Sequence, residues 1–189
     1  MAQSPGGFVR VDEYRNHAGL DQFPDHIATL GTPALVMVFH PNYVAAFQVT
    51  CEGLGQWRGN PAWQVRFEED RKSKFSLSTM EIDHQSFPLR LRGRAWILAD
   101  SYQVARLETD LAEEIPQIHL RLQHQEIEYR PVPVPENKSE IWLPSSTDLY
   151  MDFHGHRFYR RHSFTDIELF SVKVQQTIGD PKGSSQSSR

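Results

Sequence analysis

The residues of this 189-residue chain with the most chemistry to offer are three histidines and three arginines gathered in HGHRFYRRH, positions 154–162. Histidines at alternate positions of a strand point to one side and can share a metal, which makes His154, His156 and His162 the candidate ligands. Arg157, Arg160 and Arg161 make the same stretch a candidate site for an anionic partner, such as a lipid headgroup or an acidic protein surface. Each idea has a plainer rival. A two-residue turn at His154-Gly155 takes His154 out of the strand, and no carboxylate of matching parity completes a metal site. That turn also sets Asp152 opposite Arg157 and Asp148 opposite Arg161, so cross-strand pairing accounts for two of the three arginines. The plainer reading is preferred in both cases.

Other reactive types fare no better. Cys51 falls in mid-strand with Phe47 and Val49, where a free thiol is expected to be buried and inert. Glu52-Gly53-Leu54-Gly55 follows a strand, whereas a phosphate-cradling loop must open a helix. Neither a Gly-x-Ser-x-Gly elbow nor a His-Glu-x-x-His pair occurs. Glu108, Asp110, Glu113 and Glu114 read as a solvated strand end. No enzymatic constellation rises above background, and no cofactor is expected.

Composition narrows the class. The net charge is −4, without the basic excess of a nucleic-acid binder. One cysteine precludes an intramolecular disulfide or a multi-cysteine metal site. No apolar run approaches the roughly 20 residues of a membrane-spanning helix. The mean hydropathy is −0.55, yet 11% of residues are aromatic. That combination suits antiparallel strands with one wet face.

The elements that would position these groups are mostly strands. Phe8–Tyr14 reads as an opening strand and residues 16–33 as loop. ALVMVF (34–39) is helical or a buried strand, and a helix over 33–46, restarted at Pro41, is the one helical expectation. Strands follow at 47–52 and 63–67, turning at Arg58-Gly59-Asn60-Pro61, with 66–74 a solvated loop or strand end. A second hairpin joins 89–98 to 102–111. A parity slip between Ile118, Leu120, Leu122 and Ile127, Tyr129 predicts a bulge in one long strand. PVPVPEN (131–137) reads as a turn or edge crossing. The closing strands are 139–143, 147–153 and 156 onward. The turn at His154-Gly155 pairs Tyr150 with Tyr159, Met151 with Phe158 and Leu149 with Arg160. Residues 1–178 are expected to form a single domain and 179–189 a disordered tail.

Several runs carry a resemblance. CEGLGQWRGNPAWQVRF (51–67), LRGRAWILADSYQVARLETDL (91–111), IEYRPV (127–132), IWLP (141–144) and DFHGHRFYRRHSF (152–164) resemble a group of secreted proteins of soil acidobacteria with no assigned activity. The match spans most of residues 8–178. More remotely, the glycine–tryptophan hairpin, the G-x-x-W-I strand at Gly93–Ile97 and the V-x-R-L-E strand at Val104–Glu108 are similar to the LolA/LolB-like lipoprotein-localisation fold. The resemblance implies a half-barrel closed by helices around an acyl-binding cavity, in a periplasmic or secreted protein. That family opens on an amphipathic helix, whereas this chain opens at Phe8. The resemblance therefore implies one of two things: a natural N-terminal segment with a signal peptide precedes these residues, or the opening helix is absent and the helix expected over 33–46 is the main lid.

The expected fold is mainly β (α+β): a strongly curved antiparallel sheet of about eight to eleven strands with one or two helices on its concave face. The expected function is non-enzymatic binding of a lipid or lipidated protein. The cavity would be lined by Val36, Phe39, Trp63 and Trp96, with Met151 and Phe158 from the last hairpin. An interaction or scaffold domain with a filled core is the alternative, and a metal-dependent enzyme using the histidine hairpin the third.

Overall fold

Period-two alternation of apolar and polar residues dictates a sheet with two unlike faces. The computed structural model describes residues 27–30, 32–73, 76–134 and 139–165. Its strands are β1 (Ile27–Leu30), β2 (Phe47–Trp57), β3 (Asn60–Glu69), β4 (Ser78–Ile82), β5 (Gln85–Leu89), β6 (Leu91–Leu98), β7 (Val104–Leu111), β8 (Leu120–Val134), β9 (Ser139–Phe153) and β10 (His156–Ser163). Seven of them form one antiparallel sheet in the order β10-β9-β8-β7-β6-β3-β2, and β1-β4-β5 form a second. The large sheet is thus a meander into which the β4–β5 hairpin is inserted. It is neither closed nor strongly curled, and β2 and β10 are its edges.

The ladders carry alternate residues into rows that cross the sheet. One row runs Val65, Ala95, Leu107, Ile127, Thr147, and its neighbour runs Phe67, Gly93, Thr109, Gln125, Leu149. This is the covered face. Leu35 and Val38 join its core from the segment Thr32–Phe39, as do Met80 from β4 and Leu89 from β5. Burying each such side chain contributes about 1.5–3 kcal/mol, so a face this apolar demands a cover. The opposite, charged face runs Arg66, Arg94, Glu108, Glu126, Asp148, Arg161.

Several local expectations hold. Arg58-Gly59, both at positive φ, turns β2 into β3. The last hairpin has the expected register, with Asp152 opposite Arg157, Tyr150 opposite Tyr159 and Met151 opposite Phe158. The expected bulge occurs between Leu120 and Leu122, with a second between Glu128 and Tyr129.

Others need correction. The segment 33–46 folds as short 3-10 turns, Thr32–Phe39 and Val44–Ala46, because β-branched residues and Pro41 leave too few helix formers for a longer α-helix. Residues 27–30, read as loop, pair with β4. PVPV at 131–134 is strand rather than turn, and fits the edge alternative, paired with β9 but no longer with β7. Pairing with β7 ends at Glu128, so prolines beyond that point forfeit no ladder bond on that side. Glu69, in the charge-dense segment expected to be solvated, is 3% exposed. The opening strand at 8–14, the loop residues before 27, positions 135–137 and the tail at 179–189 lie outside the described residues.

Candidate functional site

The densest set of titratable groups lies on the charged face, and strand register assembles it. Arg106 of β7 faces Trp96 of β6 and Glu128 of β8. Its guanidinium sits 5.0 Å from the Trp57 ring centroid and 5.6 Å from that of Trp96. It donates to Glu108 and, at 2.6 Å, to Glu126, with Glu128 at 3.7 Å. Burial opposes its charge, but the Glu108 and Glu126 carboxylates outweigh that and raise its pKa. Glu128 also accepts two hydrogen bonds from Arg58, at 2.8 and 2.9 Å.

The ladder continues outward in both directions. Arg94 donates to both oxygens of Glu52, at 2.6 and 3.2 Å, and this hydrogen bonding lowers the Glu52 pKa. His124 lies between Asp110 and Glu126. Tyr159 donates to Asp148 at 2.6 Å while its ring meets Tyr150 at 4.9 Å. Each carboxylate of this network has a cation or hydroxyl partner, some of them shared. That arrangement joins strands and leaves none of these carboxylates free to act as a base.

The covered face has an open margin along β2 and β3. Register places Val49 opposite Phe67, Cys51 opposite Val65 and Leu54 opposite Trp63. Phe67 and Val65 are buried, but Val49 is 41% exposed, Leu54 58% and Trp63 38%. Cys51 is exposed as well, correcting the expectation of a buried thiol. The physical reason is position: β2 is an edge strand, and the cover stops short of it.

The six residues expected to line a cavity divide between three places. Val36, Phe39, Met151 and Phe158 pack in or against the core, with Phe39 edge-on to Phe67 at 5.9 Å. Trp63 lies on the exposed margin. Trp96 belongs to the charged face, beside Arg106.

The histidine–arginine hairpin also disperses its groups. His154 lies in the turn, His156 opens β10 opposite Phe153, and His162 faces Thr147. Among the described residues no three His, Cys, Asp or Glu side chains come together to hold a metal ion. Arg161 pairs with Asp148 at 3.6 Å and Arg160 lies opposite Leu149. Arg157 faces Asp152 in register, yet among the described residues no ion pair joins them, and the Asp152 Oδ1 is buried without a partner. Instead, the His154 ring meets that of His119 at a tilt of 51°, with ring centroids 4.6 Å apart. Sequence reading missed that pair, since nothing local joins residue 119 to 154. It also missed the Arg106 network, whose only signal was charges at alternate positions on two separate strands.

No family model, curated protein or solved structure matches this chain.

Proposed function

We propose that this chain is a non-enzymatic binding module that takes up a hydrophobic ligand, the acyl chain of a lipid or of a lipidated protein. The observation that carries this reading is the strip Val49, Leu54, Trp63, large apolar side chains left exposed on the same face as the core. The strip carries no charge and runs directly into buried Val65 and Phe67, so an acyl chain laid along it extends the core. Each 100 Å² of apolar surface removed from water contributes about 2.5 kcal/mol, enough for a short contact to matter. Exposed apolar patches beside a core commonly mark binding surfaces.

The half-barrel reading belongs to the same proposal, with the 3-10 segment and the small sheet in the role that the carrier fold gives to helices. So does a periplasmic or secreted location, where such ligands travel. Val36 and Phe39 then belong to the lid, Met151 and Phe158 to the sheet beneath it, and Trp63 to the rim.

The test is titration with a fluorescent fatty acid, read alongside quenching of tryptophan emission. Saturable binding is expected, weakened about tenfold by Leu54→Glu or Trp63→Ala. A free fatty acid and an acylated peptide, compared directly, distinguish lipid from lipidated protein. Absence of saturable binding, or equal binding by the folded variants, overturns the proposal. A second reading, a docking domain for another protein, draws on the way the chain's own side chains pack the covered face.

A further inference from the structure

At the far side of the sheet from β2, loops border an open cleft of about 390 Å³. Glu114, His119, Arg121 and His154 form its walls, and buried Leu120 lies among them. The backbone aims three of these side chains. Arg121 is the extra residue in the bulge between Leu120 and Leu122, and a bulge redirects the side chain it carries. His119 and His154 both occupy left-handed backbone, at φ 52° and 53°. The His154 N–H donates to the His119 carbonyl at 3.0 Å, tying the two loops together. The His154 ring is held between His119 and Phe153, whose centroid is 4.4 Å away. Two exposed imidazoles are thereby kept in fixed places.

Neither Arg121 nor Glu114 has an ion pair or hydrogen bond among the described residues, although neighbouring Glu113 is held by Arg71 and Arg90. A guanidinium and imidazole N–H groups lining one cleft suit an oxyanion. A carboxylate on the same cleft repels a bare anion but suits an ammonium group.

We propose that this cleft binds a small zwitterionic group, its phosphate or carboxylate held by Arg121, His119 and His154 and its amine directed to Glu114. The juxtaposition of Arg121 and Glu114, unpaired among the described residues, around one cleft with the two imidazoles is what assigns it. This site lies across the sheet from the Val49–Leu54–Trp63 strip and stands or falls independently of it.

The experiment titrates O-phosphoethanolamine into the whole chain and follows the imidazole nitrogen resonances by NMR. Saturable shifts of His119 and His154 are expected, with binding about tenfold tighter than for inorganic phosphate or ethanolamine alone. Arg121→Gln is expected to weaken it about tenfold or more, as loss of a charged hydrogen-bond partner does. Glu114→Gln removes the preference over inorganic phosphate. His154→Asn serves as the folded control for the imidazole, because Asn-Gly is the preferred pair in such a turn, and it too lowers affinity. Co-flotation with vesicles containing phosphatidylethanolamine, lost in Arg121→Gln, assigns the group to a lipid headgroup. Binding of the soluble compound without flotation assigns it to a free metabolite-sized ligand. No imidazole shift, equal binding of inorganic phosphate, or unchanged affinity in folded Arg121→Gln overturns the proposal.

Discussion

His124 of β8 and Asp110 of β7 face each other across adjacent strands, with the imidazole Nδ1 2.8 Å from the aspartate Oδ1. Glu126 lies 3.3 Å from the other ring nitrogen. Burial works against a charged ring here, but the two carboxylates outweigh it and raise the His124 pKa. Both nitrogens can donate only when the ring is protonated.

A raised folded pKa adds stability that is complete below the unfolded value of about 6.5 and is lost as pH climbs through the folded value. The urea midpoint is therefore expected to fall from about pH 6.5 upward, reflecting a loss of under about 1 kcal/mol in unfolding free energy because the pair is partly exposed. His124→Gln should flatten that dependence. A wild-type midpoint that falls no more than that of the variant refutes the assignment.

Arg106 neutralises carboxylates from two strands while stacked against Trp57 and Trp96. Its removal leaves Glu108, Glu126 and Glu128 facing one another. Arg106→Ala is expected to cost about 2–3 kcal/mol in chemical unfolding, toward the lower end for a pair broken on a partly buried face. Arg106→Lys keeps the charge but loses the planar fork, and about half that loss is expected. Altered tryptophan emission should accompany both, since Trp57 and Trp96 lie 5.9 Å apart beside it.

Gly93 is where β6 passes beneath an aromatic ring. A Cβ at this position would meet the Glu108 carbonyl oxygen and come within 2.6 Å of Phe67 Cζ. One obstacle is backbone and the other is a fully buried ring, so neither yields cheaply. Gly93→Ala is expected to destabilise by about 3 kcal/mol or more, through overpacking. A thermal midpoint equal to that of the wild type would show that the sheet can shift to make room.

Gln123 presents the opposite fault. It is 1% exposed on the covered face, and neither its Nε2 nor its Oε1 has a hydrogen-bond partner among the described residues. An unpaired buried amide costs about 1–3 kcal/mol, so Gln123→Met, similar in length and apolar, should raise stability by about 1–2 kcal/mol. Loss of stability on this substitution would mean that the amide is satisfied in solution.

The parts of the fold legible in the sequence are those written in local patterns. Turn chemistry marked Arg58-Gly59 and His154-Gly155. The second set the register of the last hairpin residue by residue, because a two-residue turn leaves no freedom in pairing. The parity slip before Ile127 betrayed a bulge, since one extra residue moves every later side chain to the other face. The hairpin of β4 and β5 had no such signal: five-residue strands with proline and serine lack a clear alternation. The ion pair expected for Arg157 and Asp152 failed even though the register was right, because facing backbone positions do not oblige long side chains to meet.

By itself, the sequence determined an antiparallel β protein with one apolar and one charged face, because period-two patterning and turn residues act over a few positions. Only the tertiary structure decided which strands are edges and where the cover ends. It thereby decided that Cys51, Leu54 and Trp63 are exposed while Val65 and Phe67 are not. Tertiary structure likewise brought His154 to His119 and Arg106 to Glu126. Those meetings depend on strand order and long-range register, which are properties of the assembled sheet and of no single segment.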